Sequence, residues 1–233
     1  PDEAINWNPI TETMRNLRLA RANAKVFQTL LGISWMWFFG AVFLSQFPSF
    51  AKEVLHGDAQ VASLLLVLFS VGIGAGSLLC EYLSRGRVEM GLSPLGAIGM
   101  TLFAVDLYVA ASNLPVSELM GVSAFVAQSA HWRIMVDLLL LSLFTGIYSV
   151  PMYALIQIES KSHEVARIIA ANNIINAIFM IASSLIAGAM LSAGMSIPDI
   201  FLWTGVANAA VTLAIFMAEP SYLQRFVAWL RGV

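Results

Sequence analysis

The chain has 233 residues, 59% of them hydrophobic and only 11% charged, with a net charge of −2. A soluble domain carries about 25% charged residues. A water-facing globular surface is therefore excluded, and the mean hydropathy of +0.80 agrees.

Along the chain, Pro1 comes first, with no charged region, apolar run and cleavage site of a signal peptide behind it. The chain is expected to be a piece of a longer protein. Residues 1–25 read as a cytoplasmic amphipathic linker: Ile10, Met14 and Leu17 recur at helical spacing, with Arg15, Arg18 and Arg21 off that line. Six runs then reach the roughly 20 apolar residues that a helix needs to cross a bilayer core. They cover residues 26–45, 60–83, 92–112, 134–158, 168–193 and 200–218. The first is open to extension past Pro48 as far as Phe50. The runs are apolar all round, as expected where lipid covers one face and protein the other. The prediction is an all-α, polytopic membrane protein. Residues 113–133 are the longest connection and the one with room for a structured external segment. Residues 219–233 read as a cytoplasmic interfacial tail, with Tyr222, Phe226 and Trp229 among Arg225 and Arg231.

Ten of the twelve basic residues fall on one side of the predicted spans, leaving Lys52 and Arg133 on the other. The positive-inside rule puts both ends in the cytoplasm, which requires an even number of spans. Basic groups at membrane edges, without an interleaved aromatic patch, argue against nucleic acid as a partner.

Several polar and small residues inside the spans invite a role. Gly72 and Gly76 form a Gly-x-x-x-Gly pair, whose ordinary meaning is close helix packing. With Gly74 they mimic a dinucleotide fingerprint, but no strand precedes them. Glu81 and Arg85 are four apart and can pair on a helix face, so Glu81, Arg85 and Arg87 are candidates for a gating turn as well as a positive anchor. Asp106 lies 14 residues beyond Leu92, about 21 Å up the helix. A carboxylate at that depth costs at least about 2.5 kcal/mol unless it is paired or solvated. It is a candidate for a substrate cavity, or else sits near the outer interface. Asp137 follows Arg133 by four residues, and the expected outcome is an outer ion pair between these two. Asn172 and Asn176 share a face of the fifth span next to Asn173, and they either bridge helices or line a cavity. Asn208, Gln157, Tyr148 and Tyr153 could join them. Pro151 is expected to kink the fourth span. Cys80 is the only cysteine and reads as a small core residue. His56, His131 and His163 fall on separate loops with no metal-ligand spacing. No catalytic constellation, metal or cofactor is expected.

This pattern resembles the C-terminal six-helix half of a major facilitator superfamily transporter. The Arg-rich lead-in 8–25 looks like the linker between the halves of that fold. The stretch from Gly76 through Glu81 to Arg85, Gly86 and Arg87 sits where the superfamily carries its Gly-x-x-x-Asp-Arg-x-Gly-Arg-Arg loop, with the acid shifted and the basic cluster thinner. The segments Ser34-Trp-Met-Trp-Phe-Phe-Gly-Ala, Gly91-Leu-Ser-Pro-Leu-Gly-Ala and Ala171-Asn-Asn-Ile-Ile-Asn-Ala are similar to the lysophospholipid transporter branch. Some members of that branch carry a glycerophospholipid acyltransferase domain after the transporter, and the tail from Glu219 resembles the lead into it. The resemblance implies movement of lysophospholipid across a bacterial inner membrane by rocking of two six-helix halves, with membrane lipid, an N-terminal half and a following acyltransferase as partners. The acyltransferase His-x-x-x-x-Asp motif is missing, since His163 is followed at that spacing by Ile168, so this segment is not expected to be an enzyme. Two other readings stay open: a facilitator for a small soluble solute such as a drug or sugar, and a membrane anchor that only localises an attached enzyme. Trp35, Trp37, Phe38 and Phe39 could form an apolar cavity wall or face lipid.

Overall fold

The fold is taken from a computed structural model that describes residues 8–112, 114 and 118–232. The start of the expected linker (1–7), part of the external connection (113 and 115–117) and Val233 lie outside the described residues. The elements in order are α1 (Pro9–Arg21), α2 (Ala24–Ser49), α3 (Ala59–Ser84), α4 (Leu92–Ser112), α5 (Val122–Ala127), α6 (Ala130–Glu159), α7 (Val165–Ser192), α8 (Ile197–Ala218) and α9 (Ser221–Leu230). Six helices are long and apolar enough to cross a membrane: α2 with its extension, α3, α4, α6, α7 and α8. Among the described residues there is no strand.

The end of the first span differs from expectation for a physical reason. The first span continues past Pro48 as a π-helical turn, Phe50–Val54. Proline has no N–H to give the ladder, and the chain resumes with wider bonds, such as Leu55 N–H to the Phe50 carbonyl (3.0 Å). Lys52 and Glu53 point outward while Phe50 and Ala51 are buried, so a charged pair that reads as loop lies on the exposed side of a helix. Among the described residues of the external connection, Val122–Ala127 form the short helix α5. The His131 ring Nδ1 lies 3.0 Å from the Phe125 carbonyl, and the ring stacks on Phe125, which joins α5 to the start of α6.

The packing pairs the helices in a repeated way. α2 lies against α7 as α3 lies against α6, and α2 against α8 as α4 lies against α6, while α2–α6 and α4–α8 complete the set. Exchanging α2, α3 and α4 for α6, α7 and α8 maps this list onto itself. These strongest pairings are the pattern that two three-helix repeats related by a two-fold would give. Backbones approach where glycine allows it. A Cβ on Gly72 would stand 2.6 Å from the Leu139 carbonyl oxygen, and one on Gly76 2.7 Å from the Leu143 carbonyl carbon, so the α3–α6 contact requires both glycines.

The end rich in basic residues is tied by three cross-links. Lys25 on α2 pairs with Glu159 at the end of α6 (2.7 Å), Arg225 on α9 with Glu89 (3.4 Å), and Thr29 with the Tyr222 hydroxyl (2.9 Å). Tyr222 is fully buried, which pushes its phenol up to about 12. Around the bundle, exposed Leu66, Val71, Leu78, Leu102, Ile181, Leu185 and Leu213 form the apolar surface that lipid would cover.

Candidate functional site

The expected polar residues separate into three places. The first is a node between α2 and α7. Ser34 and Asn176 lie 2.8 Å apart, oxygen to side-chain amide. The Asn176 amide is satisfied when its nitrogen donates to Ser34 Oγ (2.8 Å) and to the Asn172 carbonyl (3.2 Å). Its oxygen then accepts from Trp37 Nε1 (3.2 Å) and Asn172 Nδ2 (3.0 Å). Trp37 Nε1 also reaches the Tyr153 hydroxyl on α6 (2.9 Å). Asn172 and Asn176 are only 3% and 7% exposed, and Asn172 Oδ1 is buried with no partner. A buried amide oxygen without a partner, next to an amide that meets Trp37, is an acceptor that calls for a donor. The rim of the node is open. Trp37 is 39% exposed and Tyr153 half-buried. Gln157, one turn along α6 from Tyr153, and Asn173, three residues before Asn176, are exposed beside them. A face of mixed aromatic and amide character thus stands open between α2, α6 and α7.

The second place is the outer end of α4 and α6. Arg133 grips Asp106 with two nitrogens, Nε donating to Oδ2 at 3.1 Å and Nη2 to Oδ1. The expected Arg133–Asp137 pair is corrected accordingly: a guanidinium fork matches a carboxylate in plane, and it finds that geometry across to α4 rather than along its own helix. Asp137 is 2% exposed, and its Oδ2 lacks a partner. Asp106 is therefore part of the α4–α6 contact near the outer interface and is not on the open face.

The third place is the bundle interior, where Asn208 on α8 is fully buried. Its oxygen accepts from Trp35 Nε1 (2.9 Å), and its nitrogen donates to the Ala97 carbonyl (3.0 Å) and Thr101 Oγ1 (2.9 Å). With these bonds made, Asn208 fastens α8 to α2 and α4 instead of lining a cavity. Tyr148 does the same for α6 and α2, donating to the Gly32 carbonyl (3.0 Å). Trp35 and Phe38 stack at 4.8 Å and border an apolar recess of about 690 Å³ with Val42, Ile186, Met190 and Trp203. The recess is lined by α2, α7 and α8. Of the four aromatics expected as wall, Trp37 alone joins the open face, and Phe39 is in the core.

The expected Glu81–Arg85 helical pair also needs correction. Arg85 ends α3 in the left-handed conformation (φ 54°), so it has left the helix face that Glu81 occupies. Cys80 is buried as expected. Among the described residues no cluster of three or more His, Cys, Asp or Glu side chains could hold a metal ion. No protein-family model, curated protein or solved structure matches this chain. The site therefore rests on its own geometry. Ser34 is the residue that sequence reasoning passed over; its signal is the one hydroxyl in the apolar stretch Leu30–Leu44 of α2, one turn before Trp37.

Proposed function

We propose that the chain is one six-helix half of a secondary transporter of the major facilitator type, and that it moves lysophospholipid across the bacterial inner membrane by rocking against an N-terminal half, with both ends in the cytoplasm. The carrying observation is the open face around Trp37, Tyr153, Asn173 and Gln157, backed by the orphaned Asn172 oxygen. Lipid has no use for amides, so a polar face that runs from the basic end of α6 and α7 up to Trp37 on α2 calls for water, a substrate headgroup or a second protein surface. The two-fold pattern of helix pairings supports the same reading, because three-helix repeats so related place substrate near the midplane at their interface.

The recess at Trp35, Phe38 and Trp203 favours an amphiphilic cargo over a small soluble solute, because its lining is apolar apart from Thr204. A headgroup at the amide face and an acyl chain against apolar wall would suit a lysophospholipid. An enzyme following in the same chain, such as an acyltransferase, would use the delivered lipid.

The test is transbilayer movement of a labelled lysophosphatidylethanolamine by the full-length protein in vesicles. Asn176→Leu should slow it at least tenfold while Asp106→Asn leaves it within threefold, since the first breaks the node and the second changes only the outer ion pair (about 1.4 kcal/mol per tenfold). A wild-type protein that moves no lysolipid would leave the anchor reading standing instead.

A further inference from the structure

A second recess, unconnected with the amide face, lies at the basic end. It has a volume of about 610 Å³ and is bordered by Tyr82, Ser84, Arg85, Arg87, Glu89 and Trp229. The chain shapes it with a tight turn. Arg85 (φ 54°) and Gly86 (φ 70°) both take the left-handed conformation, and Arg87 N–H closes onto the Ser84 carbonyl (3.1 Å). Arg85 and Arg87 are exposed, and neither is paired with an acid among the described residues. The one acid of the recess, Glu89, is engaged elsewhere: Oε2 with Arg225 (3.4 Å) and Oε1 with the Gly91 N–H (3.1 Å). Two uncompensated guanidiniums thus face a concave space.

We infer that this recess binds the phosphate headgroup of an anionic phospholipid, with one acyl chain lying along α3. The shared chemistry is a phosphate between two arginines, which present several donors in a planar fork. Three features favour lipid over free phosphate. The recess sits at the end of a membrane-length helix, where headgroups lie. Tyr82 (80% exposed) and Trp229 flank it, the aromatics that mark this boundary. Leu78, one turn deeper on the same face as Tyr82, is 70% exposed and continues an apolar track for a chain. A net negative headgroup such as phosphatidylglycerol suits the two positive charges. A zwitterionic headgroup brings its own ammonium and gains less. An occupant would join the α3–α4 turn to α9. This inference is independent of the transporter reading and holds equally for an anchor.

The experiment measures lipid binding to the purified, delipidated full chain in non-ionic detergent by native mass spectrometry. Phosphatidylglycerol, phosphatidylethanolamine and inorganic phosphate are the three probes. The double variant Arg85→Asn, Arg87→Gln keeps the turn, since asparagine tolerates the left-handed conformation. It should weaken phosphatidylglycerol binding about thirtyfold, from roughly 1 kcal/mol for each arginine near the surface. Arg18→Ala with Arg21→Ala removes as much charge from the same end and should change it less than threefold. Equal weakening by both pairs would mean charge at large and overturn the site. So would tight phosphatidylglycerol binding that survives the Arg85 and Arg87 changes. Binding of inorganic phosphate with no lipid retained would name a soluble occupant and overturn the lipid assignment.

Discussion

Replacing Asn208 by leucine tests whether buried amides hold the bundle together. The side chain makes three interhelical bonds, to Trp35 Nε1, the Ala97 carbonyl and Thr101 Oγ1, at 2.9 to 3.0 Å. Hydrogen bonds between membrane helices average about 0.6 kcal/mol and reach about 1.7. Three of them place the loss near 2 kcal/mol, with about 5 as the ceiling. Leucine keeps the branched four-heavy-atom side chain, so no cavity is added, but its methyls are bulkier than the amide groups and some overpacking joins the loss; the double-mutant cycle isolates the bond. Trp35 and the Ala97 carbonyl cannot turn to water, because both stand inside the bundle, and that keeps the effect from vanishing. The assay is reversible unfolding of the purified chain in mixed micelles with rising denaturing detergent. Trp35→Phe removes one of the three bonds, so a double-mutant cycle with Asn208→Leu should return a coupling of about 0.6 kcal/mol. A loss below about 0.5 kcal/mol, the size of a neutral surface change, together with zero coupling, would refute the view that Asn208 fastens α8 to α2 and α4.

Two further outcomes follow from the packing. Gly76→Leu forces α3 away from α6, because even its Cβ would stand 2.7 Å from the Leu143 carbonyl carbon, and about 1–3 kcal/mol of overpacking should appear in the same unfolding assay. Gly74→Ala, with nothing near its Cβ, should be neutral or mildly stabilising, and equal effects at the two glycines would count against the close α3–α6 approach. At the outer end, Arg133→Gln leaves Asp106 and the buried Asp137 without their shared cation and should lower the unfolding midpoint. Adding Asp106→Asn should restore part of it, and failure of that rescue would argue against the pairing.

The helices were legible because lipid imposes a length and an apolar content that no other segment of this chain meets. Contacts between helices were not. Asn176 and Asn208 are the same residue in similar apolar settings, yet one is buried beneath an exposed tryptophan and the other is locked in the bundle interior. Trp35 and Trp37 are two positions apart and end on different sides of α2. Which side faces what depends on neighbours that helical spacing cannot name. Asp106 illustrates the same limit: its depth followed from counting residues, while its partner depended on how α4 and α6 are rotated. The end of α2 misled for a local reason, since Lys52 and Glu53 sit on the exposed side of a turn whose other side is buried.

The most direct measurement of the central claim, that one face of the bundle meets water and the rest meets lipid, is thiol accessibility. Cys80, the one cysteine of these 233 residues, is buried and can be replaced by serine, together with any cysteine elsewhere in the full-length protein, to give a blank background. In the full-length protein in membranes, Gln157→Cys and Asn173→Cys should react with a water-soluble maleimide, while Leu102→Cys and Leu213→Cys should stay unlabelled. Labelling of all four positions, or of the leucine positions alone, would contradict the account.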